Sequence, residues 1–232
     1  ANSLLDIAAK AAKAVIDSKK YQLFKPAALG EFAYKYLFTL ENVQSNPANL
    51  TKADNKEYIF YRRHDETLSP IGTNVTHGCL KNVQYISRKF VNMYLTQNGL
   101  PIEQDVYAAG TNEKGFKGYA TMTSEFENRD NRMKNSLLPN GTNYWDNEAQ
   151  SCRIDWKGMS GEDAKNAQVC DVKSGSGYQN QKWATERRVE DNYEGYDYPI
   201  IRYAEVLLTY AEAVNELSGP SADVYDKLDL IR

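Results

Sequence analysis

Few residues in this chain are spaced for bond-making chemistry. Glu205 and Glu212 lie seven apart in a helical pattern, so both carboxylates share one helix face. Paired carboxylates perform glycoside hydrolysis, but two helical turns separate these by about 10 Å along the axis. That exceeds the roughly 9.5 Å limit of an inverting pair. Their expected work is structural, bonding neighbouring turns, Arg202 or an adjacent helix. Glu125, Glu127, Asp146 and Asp155 stand in loop-like sequence with no motif tying them together. His64 and His77 are the only histidines, and no Ser or Cys sits in a nucleophile setting, so a hydrolase triad has no support. With no CxxC, His64, His77 and Cys79 cannot supply four well-spaced metal ligands. Gly115-Phe-Lys-Gly118 lacks the spacing of a phosphate loop. A chain without catalysis, metal or cofactor is expected.

Binding chemistry has better candidates. Tyr144, Trp145 and Trp156 sit in polar, loop-like sequence outside any periodic apolar face. An exposed ring stacks on the C–H face of a sugar while nearby Asn, Asp and Arg bond its hydroxyls. Each platform adds roughly 0.5–1.5 kcal/mol beyond area burial, so several must act together in a weak, multivalent site. The alternative is that the rings anchor loops over a satellite cluster. Trp183, Tyr193 and Tyr196 stand nearer the last long apolar pattern and are expected to pack. Asn128-Arg129-Asp130 and Arg132 read as a charge-assisted turn that fixes loops together. Three glycosylation sequons, at Asn49, Asn74 and Asn140, are within chance for an Asn- and Thr-rich chain.

Composition narrows the class. At 232 residues the chain can remove roughly 70% of its unfolded surface from water, so no staple is required. Hydrophobic content of 41% and charged content of 25% are ordinary for a globular protein. A net charge of −3 argues against nucleic acid, which needs a concentrated positive face. The 17 Tyr against 7 Phe favour rings with a hydrogen-bonding rim, as binding surfaces use. No stretch approaches the ~20 apolar residues of a membrane span. Of three cysteines, Cys152 and Cys170 would close a short loop worth roughly 3 kcal/mol if the protein is exported; two unpaired thiols are the alternative.

The elements that must position these residues begin with an amphipathic helix over residues 3–18, its face formed by Leu4, Ile7, Ala8, Ala11 and Val15. Residues 31–40 alternate enough for strand or helix, and a short helix is expected. Residues 56–61 read as a strand and 67–78 as irregular. Residues 89–99 read as a helix that Gly99 stops and Pro101 keeps from resuming. Residues 135–196 form a long polar stretch with little periodicity, which marks a functional or disordered segment. Tyr198–Leu217 reads as one helix with Pro199 in its first turn. Its stripe is Ile201, Ala204, Leu207, Leu208, Ala211 and Val214. Gly219 and Pro220 end it, and Ser221 caps a second helix from Ala222. Together they make a helical hairpin whose small Ala204, Ala211 and Ala213 let another helix approach closely.

The run Arg202-Tyr-Ala-Glu-Val-Leu-Leu-Thr-Tyr-Ala-Glu-Ala-Val-Asn-Glu-Leu217 closely resembles the signature helix of the SusD/RagB family. Similar matches, in the family's order, are Ser18-to-Phe24, Lys56-to-Tyr61, Lys89-to-Ile102, Glu125-to-Met133 and Gly177-to-Trp183. The chain departs from the pattern at Asn131, where proline is usual, which loosens that turn. The resemblance implies a mainly α SusD-like fold with tetratricopeptide-type repeats over 1–24 and 198–232 and a loop-rich lobe over 25–197. It implies a surface lipoprotein of the bacterial outer membrane that captures oligosaccharides or polysaccharides for a SusC-like TonB-dependent outer-membrane transporter. It further implies that this chain is part of a longer protein carrying the lipid anchor. Capture of another nutrient such as peptide, or a protein-binding helical scaffold, are the competing expectations.

Overall fold

The computed structural model describes residues 2–80, 86–121, 123–139, 142–144, 152–156, 168–170, 178, 180–187, 189–190 and 192–231. Helix α1 (Asn2–Asp17) packs against α6 (Tyr203–Ser218), which packs in turn on α7 (Ala222–Ile231). Small residues set this contact. Ala9 and Ala12 are the buried positions of α1, and Ala204, Ala211 and Ala213 are buried on α6 beside Leu207 and Tyr210. On α1 the expected stripe is rotated, Leu4 and Ile7 being exposed, whereas on α6 the expected Ala204, Leu207 and Ala211 are buried and Leu208 is exposed. Alanines make up most of the seam because helices approach closest where side chains are small. The hairpin turn forms as expected. Gly219 takes φ 79°, its N–H donates to Asn215 O at 2.8 Å, and the Ser221 hydroxyl accepts from Val224 N–H at 3.4 Å.

The signature segment does not begin as helix. Tyr198–Arg202 is strand β5, antiparallel to β1 (Tyr58–Arg62), with Pro199 opposite Tyr61 and Arg202 opposite Tyr58. Two β-branched residues, Ile200 and Ile201, favour extension, and proline is tolerated on this two-stranded edge. Helix starts only at Tyr203, whose N–H donates to Glu57 O at 2.8 Å. The Arg202 guanidinium reaches Glu57 at 2.6 Å, and Glu205 and Glu212 are exposed. Arg202 thus serves the strand pair and not the helix carboxylates expected as its partners.

In the lobe, a 3₁₀ turn (Ala27–Phe32) leads into α2 (Ala33–Leu37), the short helix expected in 31–40. Around it a core gathers Phe24, Leu29, Tyr36, Leu37, Phe38, Leu40 and Tyr58, with Trp183 against it. A second core holds Val91, Phe126, Met133, Leu137, Leu138 and Tyr178. Part of the segment expected to be irregular forms α3 (Val75–Leu80). The helix expected to run to Gly99 is α4, only Arg88–Asn92, capped by the Ser87 hydroxyl. Arg129 explains the early stop. Its guanidinium donates to Val91 O and Tyr94 O at 2.8 Å, carbonyls that a continuing helix would need. Gly99 closes a later turn at φ 81°.

Helix α5 (Asn131–Ser136) is capped by Asp130. Asn131 is its first residue, where proline's missing N–H would cost nothing. In this chain the Asn131 amide instead donates to Glu31 O at 2.5 Å, so the turn is fastened, not loosened. The stretch expected to lack regular structure contains a small sheet. Strand β2 (Thr142–Tyr144) is antiparallel to β3 (Cys152–Trp156), and β4 (Gln168–Cys170) is parallel to β3. This register opposes Cys170 to Trp156, four residues from Cys152. Four strand steps span about 13 Å, far beyond the ~7 Å Cα limit of a disulfide. The short-loop bridge between Cys152 and Cys170 does not fit this pairing.

Buried ion pairs tie residues 186–202 to the first core. Lys35 pairs with Glu186, Arg187 with Glu41, and Lys52 with Asp197 at 2.9 Å. Burial raises the Glu41 carboxyl above its ordinary value against the opposing pull of Arg187. Gly195 permits the approach, because a Cβ there would lie 2.4 Å from Glu66 N.

Candidate ligand cleft

A cleft of about 580 Å³ opens where α2, α4, α5 and residues 180–182 meet. Its apolar side is Ile86, Phe90, Met93, Tyr94 and Leu95. Phe90 and Tyr94 are four apart, so their rings meet edge to face at 5.5 Å. Phe90 is 46% exposed and Met93 69% exposed, leaving a ring and a thioether on offer to a ligand.

The rest of the lining is polar: Tyr34, Asp130, Arg132, Ser136, Asn180 and Lys182. Asp130 fixes Arg132 by a two-pronged contact, Nε to Oδ1 at 2.9 Å and Nη2 to Oδ2 at 2.5 Å. Those bonds hold the Arg132 pKa above its usual value. The Lys182 ammonium lies 4.2 Å above the Phe38 ring and 5.6 Å above that of Tyr34. Burial, then the nearby Arg202, lowers its pKa. The Tyr94 and Tyr34 phenols are raised, chiefly by burial. Tyr34 and Arg132 also line a neighbouring cavity of about 320 Å³ that holds the Arg202–Glu57 pair.

An apolar floor with a few fixed polar groups suits a small or oligomeric ligand. Acid–base catalysis has no pair here. Among the described residues lining the cleft Asp130 is the one carboxylate, and it is bound to Arg132. Among the described residues no group of three or more His, Cys, Asp or Glu is placed to hold a metal. No helix among them is long and apolar enough to cross a membrane.

Tyr144 lies on β2 opposite Cys152, and Trp156 on β3 opposite Cys170. Their backbones thus share one sheet, at opposite ends of β3. Trp145 lies outside the described residues. Trp183 and Tyr196 pack as expected, Tyr196 being 2% exposed and 5.8 Å from Trp183. Tyr193 is 51% exposed, contrary to expectation. Sequence reasoning passed over Tyr34, Phe90, Tyr94, Arg132 and Lys182. The four-residue step of Phe90 and Tyr94 behind the Ser87 cap was the one visible signal. Arg132 stood in a turn read as structural, and the turn is indeed that. Asn128 amide binds Glu113 O and Gly115 O, and buried Arg129 binds three carbonyls.

The SusD family model matches residues 32–232, and the chain belongs to that family. Among curated proteins none matches the sequence. Among solved structures, a SusD-like protein from Bacteroides fragilis superposes with a TM-score of 0.59 at 18% identity, covering 97% of this chain and 42% of that one. A SusD-like carbohydrate binding protein from the same organism gives 0.48 at 19%, covering 88% and 39%. A SusD superfamily protein from Parabacteroides distasonis gives 0.47 at 18%, covering 100% and 39%. At such identities the first likeness speaks to the fold alone, and it is SusD-like. The chain spans about two-fifths of the length of these structures.

Proposed function

We propose that this protein captures glycans at the bacterial outer-membrane surface, performs no chemistry on them, and delivers them to a SusC-type TonB-dependent transporter. The observation that carries the reading is the cleft: exposed Phe90 and Met93 in one lining with the fixed Asp130–Arg132 pair, in a chain of the SusD family. A sugar's C–H face stacks on Phe90, and its hydroxyls meet Arg132, Asn180 and Ser136. Tyr144, Trp145 and Trp156 extend the same role elsewhere in the lobe. A lipid anchor borne by the longer protein holds it at the surface, and α1, α6 and α7 belong to tetratricopeptide-type repeats.

Electrophoresis through native gels containing dissolved polysaccharides tests this. The protein is retarded by at least one neutral glycan, and Phe90→Ala weakens that binding about fivefold, the loss of roughly 1 kcal/mol of stacking. Retardation unchanged in Phe90→Ala would remove the cleft from the account. A second reading, binding of a protein partner, is favoured by exposed Leu4, Ile7, Leu208, Tyr225 and Leu230 on α1, α6 and α7. It predicts that gels without glycan but with the partner transporter are the ones that retard it.

A further inference from the structure

We infer that the cleft is built for acidic glycans, with Lys182 receiving a carboxylate or sulfate of the bound saccharide. This rests on the capture reading and adds the ligand's class to it. The ionisable charges lining the cleft are Asp130, Arg132 and Lys182. Asp130 and Arg132 cancel each other in their two-pronged contact. Lys182 is left over. Among the described residues no carboxylate lies within ion-pair distance of it, and its contacts are the rings of Phe38 and Tyr34.

Its setting concentrates the positive charge. Lys182 is half-buried, and its pKa is lowered by burial and then by Arg202, with no carboxylate offsetting either. A partly desolvated ammonium with no anion beside it is an unfinished pair, and an incoming anion completes it with a charge-assisted hydrogen bond. The fixed Arg132 and Asn180 line the same cleft, and exposed Phe90 takes the sugar ring. The whole chain carries a net charge of −3, so this local cationic point is a feature of the cleft and not of the surface at large. A uronic acid supplies the required carboxylate and a sulfated sugar the required sulfate, each on a ring that can stack.

The test is calorimetry on the full protein chain with matched probes. Oligogalacturonide is compared with its fully methyl-esterified form, and a sulfated chondroitin oligosaccharide with its desulfated, carboxyl-reduced form. Each pair is run on the wild type, Lys182→Gln and Lys182→Arg. At least one acidic member binds about tenfold tighter than its neutral match, the return of one charge-assisted bond. Lys182→Gln abolishes that difference while leaving the melting temperature close to wild type, and Lys182→Arg retains it. Which pair shows the preference tells carboxylate from sulfate. Neutral members binding as tightly as acidic ones, or a preference that survives Lys182→Gln, overturns the inference and leaves capture standing. A melt that collapses in Lys182→Gln while Lys182→Arg loses the preference also overturns it, since the ammonium then serves only the aromatic rings. A folded protein that binds neither acidic nor neutral saccharides overturns both readings.

Discussion

At the residue scale, two cations that look alike in the sequence have opposite roles. Arg129 is 4% exposed and spends its fork on Glu125 O, Val91 O and Tyr94 O. Arg129→Lys presents a point charge that cannot reach three carbonyls. With buried acceptors costing about 1–3 kcal/mol each when unmatched, and Val91 O keeping the Tyr94 N–H, chemical denaturation should show a loss of about 1–3 kcal/mol. A midpoint within error of wild type would refute the anchor role. Lys182, by contrast, faces rings and not acceptors. Its neighbours are Tyr34, Phe38 and the charges of Arg202 and Arg132. Its folded pKa lies below the ordinary 10.5, so the folded state releases that proton before the unfolded one does. Stability from this group therefore rises with pH between the lowered pKa and 10.5, and acidic-glycan affinity falls over the same approach. Affinity titrated from pH 7 upward should decline below the usual lysine range. A profile that stays flat to about pH 9.5 and declines only around the usual lysine value would show an ordinary, solvated lysine. The anchoring turn of Arg129 was legible as a charge-assisted turn, but the setting of Lys182 was not, because the rings beneath it, Tyr34 and Phe38, stand 148 and 144 positions away.

At the element scale, helices were read more surely than their ends. The hairpin of α6 and α7 was plain from its alanines, Gly219 and Ser221, since those signals are local. The strand at Tyr198–Arg202 was not, because its reason is β1, 140 residues upstream at Arg62–Tyr58 by register. Likewise α4 stops at Asn92 because Arg129 takes its carbonyls, a competition no local pattern reveals. The same dependence on distant partners applies to the attachment of residues 186–202. Gly195→Ala would force its Cβ against Glu66 N, 2.4 Å away. Overpacking of this kind costs about 1–3 kcal/mol, so the melting temperature should fall by several degrees with glycan affinity retained. An unchanged melting temperature would mean that this loop docks less closely. Lys52→Met leaves buried Asp197 without its cation and with the Gly195 O and His64 O acceptors unmatched. Uncompensated burial of that carboxylate costs about 3–5 kcal/mol, to be read as a lowered denaturation midpoint. A loss under 1 kcal/mol would show the pair to be solvated.

At the scale of the whole molecule, the two cores and the ion pairs that tie residues 186–202 to the first of them frame the cleft between α2, α4 and α5. The family was legible in the sequence because its motifs are contiguous runs, such as Arg202–Leu217. The cleft was not, because it joins residues 34, 86–95, 130–137 and 180–182 across long sequence separations. The aromatic candidates singled out in sequence, Tyr144, Trp145 and Trp156, were chosen for their polar surroundings. That criterion finds exposure but cannot find convergence. Capture requires first of all that this molecule bind glycans. Its most direct test is intrinsic tryptophan fluorescence of the full protein titrated with soluble oligosaccharides and peptides, since Trp183 packs on Phe38, the ring beneath Lys182. A saturable change with one glycan class, absent with peptides and lost in Phe90→Ala, is the predicted result. No response to any oligosaccharide from a folded protein, or saturation by peptide alone, would contradict it.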